Sequence, residues 1–485
     1  MLFNSIHFIF FFPIVVMLYF ACSQRYRWVL LLIASYYFYM CWKPEYALLI
    51  LISTVVDYFA ALKMGEITEK KKRRPYLYLS LLVNLGFLFT FKYLDFFSDS
   101  INNVLLAFNI FHQVPLYELI LPVGISFYTF QTLSYSVDVY NSKVKPEKHF
   151  GIFALYVSFF PQLVAGPIER PDRLLPQFHQ KFNFDYDRVV AGLKMMAWGF
   201  FMKLVIADRL AEIANIVFNN PEKYNGLQVL LGTWGFSFQI FGDFAGYSLI
   251  AIGAAKVMGY DLMENFRRPY FSQSIREFWT RWHISLSSWF RDYVYIPLGG
   301  NRVVKWRWYY NLMVTFLVSG LWHGANWTFV VWGGLHGLYL VAAILLQPHK
   351  NKLKQQIGLK EGSFTNTFLE ITTTFILAGF AWIFFRANTV GDAFTLIGNI
   401  FNFSWEQFSL NLLAGYPAYK LIIAFLLVAL MEFMHSLEEW GEKWGIQHPL
   451  YHKNTYVRWA AYVLLITITI GFGVFTSNQF IYFQF

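Results

Sequence analysis

The chain has 485 residues, of which 57% are hydrophobic, 21% are aromatic and only 14% are charged. A soluble protein of this size carries about 25% charged residues, so the composition excludes an ordinary soluble enzyme. The net charge is +10, but no basic soluble domain or nucleic-acid-binding motif accompanies it, and we expect no nucleic-acid partner. We interpret the excess cations as cytoplasmic loop residues that obey the positive-inside rule.

Long apolar runs predict an all-α, polytopic membrane protein, because about 20 apolar residues span a bilayer. These runs are apolar on every side, whereas strands of a membrane β-barrel alternate every second residue. We predict ten to twelve transmembrane or re-entrant helices, near residues 5–22, 27–42, 45–62, 76–92, 119–140, 151–165, 188–218, 227–258, 311–346, 366–386, 417–436 and 457–476.

The first apolar run resembles a secretory signal peptide only superficially. Its positive charges, Arg25 and Arg27, follow the apolar residues, whereas a signal peptide carries them in front. We therefore expect a first span with its N-terminus outside the cell. The later polar stretches are rich in Lys and Arg and are expected in the cytoplasm; they comprise 63–75, 141–149, 261–310 and 347–356.

The stretch 275–293, "IREFWTRWHISLSSWFRDY", predicts one amphipathic helix. At 100° per residue its apolar side chains lie within about 60° of one line, and the charged ones lie opposite. Such a helix either lies in the membrane interface or packs on the protein's own core. His283 lies at the edge of the apolar stripe, where it could face a cavity. "YIPLGGN" (295–301) then predicts a turn, either a plain loop or a close approach of ligand to backbone.

His323 interrupts the next apolar run, within "SGLWHGANW" (319–327). If this span starts at Asn311, His323 lies roughly 18 Å along it, near the middle of a core about 30 Å thick. Asn326 follows at i+3, on the same face of a continuous helix. An ionisable group at this depth is a functional candidate, and histidine can take a proton from a hydroxyl. The residues alone leave open an acyl-transfer base, a proton relay and a buried structural histidine.

No metal site is predicted. His336 lies 13 residues after His323, which is some 140° around a continuous helix, so the two side chains diverge. The only cysteines, Cys22 and Cys41, show neither metal-ligand spacing nor a disulfide framework.

Several motifs together resemble the membrane-bound O-acyltransferase family, in particular its bacterial branch that acts in alginate O-acetylation. The resemblance covers roughly residues 120 to 390. The motifs are "FFPQLVAGPIERP" (159–171), "QIFGDFAGYSLIAIG" (239–253), "REFWTRWHISLSSWFRDYVYIPLGGNR" (276–302), "SGLWHGANWTFVVWGGLHG" (319–337) and "FAWIFFRA" (380–387). By this resemblance, residues 119–390 form the catalytic core, between N-terminal helices (1–118) and C-terminal helices (391–485).

The resemblance implies helices around a central tunnel, with an acyl thioester donor entering from the cytoplasm and an acceptor hydroxyl from outside. His323 matches the family's catalytic histidine and His283 its second histidine. His283 or Asn326 would orient the donor or stabilise the oxyanion. The thioester donor, acetyl-CoA or an acyl carrier protein, is a substrate, and no bound cofactor is implied.

Further residues of these motifs are expected to line the tunnel: Trp282, Trp322, Arg281 and Asp243. Leu249 departs from the family pattern, which usually has an acidic residue at this place after "GYS". This departure leaves open what replaces that carboxylate. Asp243 has an alternative, structural interpretation as the ion-pair partner of Lys203.

The expected function is O-acetylation of an exported polysaccharide or cell-wall glycan in a bacterial inner membrane. Two alternatives stay open: D-alanyl transfer to teichoic acid from a carrier protein, and transport of acyl groups or protons without covalent chemistry. Besides membrane lipid, the resemblance implies a separate extracytoplasmic acetyltransferase of the SGNH-hydrolase type as partner, because the chain contains no such soluble domain.

Overall fold

The computed structural model describes residues 1–403, 413, 416–475, 480 and 481. Within these residues the structure contains helices and no strand. The α-helices are α1 (Ile6–Ala21), α2 (Gln24–Met40), α3 (Ala47–Glu66), α4 (Arg74–Leu88), α5 (Leu94–Ala107), α6 (Ile125–Tyr140), α7 (Phe150–Ser158), α8 (Phe160–Leu163), α9 (Pro171–Phe178), α10 (Tyr186–Phe200), α11 (Asp208–Phe218), α12 (Gly226–Met258), α13 (Ile275–Arg281), α14 (Ile284–Phe290), α15 (Lys305–His323), α16 (Trp327–Gln356), α17 (Phe364–Arg386), α18 (Val390–Asn399), α19 (Ala418–Trp444) and α20 (Thr455–Phe472).

Shorter helical segments connect or extend these helices. Among the residues that the structure describes, Phe89–Tyr93, Phe201–Ala207 and Arg291–Tyr295 are π-helices. The described part of the chain also has 3₁₀ turns at Pro44–Tyr46, Lys70–Arg73, Pro269–Phe271 and Pro449–Tyr451. The π-segment at 201–207 joins α10 to α11, so that helical structure runs without interruption from Tyr186 to Phe218.

Eight helices in the described part of the chain are long and apolar enough to cross a membrane. These spans are Pro44–Glu66, Lys70–Ala107, Tyr186–Phe218, Gly226–Met258, Trp327–Gln356, Phe364–Arg386, Ala418–Gly441 and Thr455–Phe472. The prediction of an all-α polytopic membrane protein is therefore confirmed.

The chain packs as two compact units: the first comprises Met1–Met196 and Tyr247–Met263, and the second comprises Ala197–Gly246 and Glu264–Phe485. This grouping describes packing, so the division of the sequence at 118/119 and 390/391 stays a prediction.

In the first unit a fully buried carboxylate, Asp57 of α3, joins three helices. It accepts hydrogen bonds from Ser80 Oγ of α4 at 2.5 Å and from Asn84 Nδ2 at 3.0 Å, and Ser136 Oγ of α6 lies 3.4 Å away. A polar group placed in an apolar span is tolerated when it is hydrogen-bonded in this way. The network ties α3, α4 and α6 together.

The expected single span over 311–346 is wrong, because α15 ends at His323 and α16 begins at Trp327. The two helices form a hairpin whose close approach depends on glycine. A Cβ at Gly320 would overlap the carbonyl oxygen of Phe329, and one at Gly333 would overlap that of Phe316. Apolar residues stand on both sides of Gly324–Asn326, so the hydrophobic pattern alone predicts one continuous helix there.

The expected single amphipathic helix over 275–293 is also wrong. It is two short helices, α13 and α14, broken at Trp282 and His283 and followed by the π-helix Arg291–Tyr295. Its predicted apolar stripe packs on the protein's own core, since Phe278, Trp282 and Leu286 are buried. The second of the two interpretations, packing on the core rather than on the membrane interface, therefore describes this segment.

Candidate active site

His323 is the last residue of α15 and is enclosed by aromatic side chains. Its ring centroid lies 4.9 Å from that of Trp332, 5.0 Å from that of Trp322 and 5.4 Å from that of Phe385. The side chain is only 3% exposed. Because α15 ends here, the negative end of the helix dipole favours positive charge on this imidazole.

His283 lies beside His323, with ring centroids 6.4 Å apart. It adopts a left-handed backbone conformation (φ 43°, ψ 56°) at the break between α13 and α14. Asn265 holds this break: its carbonyl oxygen accepts the Ile284 N–H at 2.8 Å, and its Oδ1 accepts the Ser285 hydroxyl at 2.6 Å. His283 is fully buried, and burial lowers its pKa well below the usual range. It is therefore neutral near pH 7.

Two of the predicted tryptophans lie next to the histidine pair. Trp322 contacts both rings, with its centroid 6.1 Å from His283 and 5.0 Å from His323. Trp282 lies further from the pair. Its ring stacks on that of Phe278, with centroids 5.4 Å apart, and its centroid lies 5.0 Å from that of Trp382. Both tryptophans are buried and place apolar surface beside the histidine pair.

Asn326 does not share a helical face with His323, contrary to the expectation from a continuous helix. It is the N-cap of α16, and its Oδ1 accepts the Thr328 N–H at 3.0 Å. Its Nδ2 donates to the carbonyl oxygen of Asn388 at 3.1 Å. These bonds account for the amide as a structural cap, and its proposed contact with substrate stays a prediction.

Arg281, also predicted as a tunnel residue, ends α13 in an ion-pair network. Its Nη2 lies 2.8 Å from Glu439 of α19 and 2.8 Å from Glu277. Arg268 Nε binds the same Glu439 at 2.8 Å. Since Arg281 precedes His283 by two residues, this network anchors the segment that carries the histidine.

Asp243 is the buried partner of Lys203, as the structural interpretation predicted. Lys203 Nζ lies 2.6 Å from Asp243 and 2.8 Å from Asp208. Asp243 also accepts the Ile481 N–H at 2.6 Å, a contact that no local pattern in the sequence indicates. The following residue, Phe244, contacts the His283 ring at 4.5 Å. Asp243 is thus one residue away from a side chain that packs on His283.

His336 shares one packing partner with the histidine pair, because the Trp332 ring contacts both His323 and His336. The Trp279 Nε1 donates a hydrogen bond to His336 Nδ1 at 3.2 Å, and Trp332 contacts His336 at 5.0 Å. Among the described residues no group of three or more His, Cys, Asp or Glu side chains comes together in a way that could hold a metal ion.

A cavity of about 180 Å³ lies against α13, α14 and α15. Ser319, one helical turn before His323, forms part of its lining. Trp279 and Phe316 line it as well, and Arg276 and Arg291 contribute the charged groups. The surface of the cavity is almost entirely apolar, and neither His283 nor His323 is among its lining residues.

Comparison with known proteins identifies the family to which the chain belongs. Residues 128–354 match the family model of the membrane-bound O-acyltransferases. The chain is 38% identical to the probable alginate O-acetylase AlgI of Pseudomonas aeruginosa over 434 residues, which is 88% of this chain and 81% of that protein. It is 37% identical to the peptidoglycan O-acetyltransferase of Helicobacter pylori, over 76% of this chain and 72% of that protein.

A more distant relative is the teichoic acid D-alanyltransferase of Bacillus subtilis, 30% identical over 56% of this chain and 70% of that protein. The chain belongs to the membrane-bound O-acyltransferase family. The resemblance drawn from its motifs is thereby confirmed, and the protein is a multi-pass membrane enzyme that transfers acyl groups to oxygen. Transport without covalent chemistry is accordingly set aside.

Proposed function

We propose that this protein transfers acetyl groups from a thioester donor for O-acetylation of an exported polysaccharide or cell-wall glycan, with His323 as general base. The observation that carries the proposal is the buried pair of His283 and His323, 6.4 Å apart between ring centroids and surrounded by aromatic rings. Acetylation is favoured over D-alanylation because the acetylating relatives match more of the chain, at higher identity.

In the proposed reaction, His323 takes the proton of the acceptor hydroxyl as the hydroxyl oxygen attacks the thioester carbonyl. The tetrahedral intermediate collapses with cleavage of the C–S bond, and the imidazolium returns its proton to the leaving thiolate. The products are an O-acetyl ester and a free thiol. The C-terminal end of α15 favours the transient positive charge on His323. His283 is neutral, so one ring nitrogen carries a proton that can be donated to the oxyanion.

The donor is proposed to be acetyl-CoA or an acetylated carrier protein. Both carry a pantetheine thioester with a phosphate, and we propose that Arg276 and Arg291, which are among the residues around the cavity near Ser319, bind that phosphate. The acceptor is either the glycan itself or a separate extracytoplasmic SGNH-type transferase that passes the acetyl group on. We place the enzyme in the inner membrane of a bacterium.

The test compares His323→Gln with His336→Gln, both buried histidines, at matched expression. We expect His323→Gln to lower O-acetyl content and donor turnover by at least about 100-fold, whereas His336→Gln retains activity. Acetate released from surface polymers by mild alkali is measured by mass spectrometry, together with D-alanine. Normal acetylation in His323→Gln would rule out His323 as the general base. D-alanine in place of acetate on the surface polymers would favour D-alanyl transfer over acetylation.

A further inference from the structure

A groove separate from the histidine site runs along α16 and α17. Its cavity of about 580 Å³ falls within the roughly 300–1,000 Å³ typical of ligand sites. The lining from Tyr339 to Ile357 extends over roughly 27 Å at 1.5 Å per helical residue. Ala343, Leu346 and Leu369 belong to its apolar wall. We call this feature the Lys350 groove.

One end of the Lys350 groove is cationic. Lys350 Nζ and Lys354 Nζ both donate to Oε1 of Glu370, at 2.7 and 2.8 Å. Asn366 Nδ2 donates to the other carboxylate oxygen at 3.0 Å. Two ammonium groups on one carboxylate leave a net charge of about +1, and each ammonium has three N–H donors. Glu370 therefore holds the Lys350 and Lys354 ammonium groups at the groove, and its single negative charge neutralises only one of them.

The two ends of the groove match the two ends of a lipid. Its walls belong to Trp327–Gln356 and Phe364–Arg386, which are long and apolar enough to cross a membrane, so a lipid chain beside these helices would meet the groove wall. Lys350 is in the basic stretch 347–356, which the sequence predicts to be cytoplasmic. Anionic lipids attract basic residues next to a membrane span with about 1 kcal/mol per Lys or Arg. A zwitterionic lipid brings no net charge to complement the lysine pair.

We propose that the Lys350 groove binds an anionic phospholipid, with its phosphate on Lys350 and Lys354 and an acyl chain along the wall formed by Ala343 and Leu346. The side chain of Lys350 is 43% exposed and that of Lys354 is 14% exposed. A lipid headgroup therefore reaches the Lys350 ammonium directly and the Lys354 ammonium at the edge of the groove. This lipid site is separate from the acyl-transfer site and does not depend on the proposed reaction.

The test uses the full-length protein, delipidated in detergent and titrated with phosphatidylglycerol or phosphatidylcholine. Retained lipid is counted by native mass spectrometry, and the thermal midpoint is measured in parallel. We expect phosphatidylglycerol to bind and raise the midpoint, and the double variant Lys350→Gln/Lys354→Gln to bind it roughly tenfold or more weakly. Lys352→Gln/Lys360→Gln removes two exposed lysines outside the groove lining and is expected to bind as wild type.

Two further variants separate lipid binding from a general loss of structure. Lys350→Arg/Lys354→Arg keeps both charges and should retain the lipid, whereas Ala343→Phe fills the wall and should reduce binding with the lysines intact. Equal binding of the two lipids, or equal loss in both double glutamine variants, would overturn the proposal. Protection by inorganic phosphate alone, or displacement of phosphatidylglycerol by acetyl-CoA, would assign the groove to a soluble anion or to the acyl donor instead.

Discussion

The rings of His283 and His323 lie with centroids 6.4 Å apart, although 40 residues separate them in the sequence. Hydrogen-bond reach from an imidazole nitrogen is about 3 Å, so both rings can act on one small carbonyl group placed next to them. The α15–α16 hairpin carries one ring and the broken helix α13–α14 carries the other. Changes in either element therefore bear on the site.

The left-handed conformation of His283 predicts an order of stability among its variants. This conformation costs most residues roughly 1–2 kcal/mol, whereas Asn adopts it readily and Gly without cost. We expect His283→Asn and His283→Gly to have higher thermal midpoints than His283→Ala. If His283 donates to the oxyanion, all three should lose about 100-fold or more in activity. Thermal midpoints in detergent and donor turnover measure the two effects separately.

An active His283→Asn protein would show that the histidine serves only the backbone turn. An alanine variant as stable as the asparagine variant would contradict the backbone assignment.

Variants of Asn326 distinguish its cap from a contact with substrate. The loss of an N-cap side chain costs about 1 kcal/mol, and serine replaces asparagine as a cap at little cost. We expect Asn326→Ala to lower the thermal midpoint and Asn326→Ser to restore it, with activity following stability. If Asn326→Ser is stable and inactive, the amide has a direct role in acyl transfer and the cap is secondary.

The buried cluster around Lys203 predicts unequal effects of its two single variants. Lys203→Met leaves the carboxylates of Asp208 and Asp243 buried without this cation, which costs about 3–5 kcal/mol. Asp243→Asn keeps the Lys203–Asp208 pair and an acceptor for the Ile481 N–H, so its cost is smaller. Thermal unfolding of the purified variants measures the difference.

The matched control for this cluster is Lys63→Met, because Lys63 forms an exposed pair with Glu66. Exposed pairs contribute little to stability, and its thermal midpoint should stay at the wild-type value. A milder effect of Lys203→Met than of Asp243→Asn would contradict the assigned role of the cation.

The raised pKa of the buried Glu169 carboxyl leads us to predict that the stability of the protein depends on pH. It is buried in the loop before α9, where desolvation outweighs a hydrogen bond from the Met263 N–H and nearby arginines and raises its pKa from 4.5 to about 7. Between these values the folded protein binds more protons than the unfolded chain, so stability falls as pH rises. We expect Glu169→Gln to be less sensitive to pH from 5 to 8, measured as the thermal midpoint. An unchanged pH slope in this variant would exclude Glu169 as the source.

Much of the architecture was predictable from the sequence because it depends on local composition. A span such as Gly226–Met258 is predominantly apolar over its 33 residues, and no water is available in a bilayer to solvate an exposed backbone, so a helix is the stable form. The motif around His323 also singled out the catalytic candidate, because an ionisable group in an apolar run is costly and seldom incidental.

Only the tertiary structure decided how these pieces meet. Periodicity predicted one continuous helix through Gly324–Asn326 and another through His283, and the structure breaks both. The breaks are held by hydrogen bonds of Asn265 and Asn326 to segments distant in sequence. The same holds for the aromatic rings of Trp332 and Phe385 around His323 and for the Ile481 contact with Asp243. Composition determines which segments enter the membrane, whereas side-chain packing determines which residues share a site.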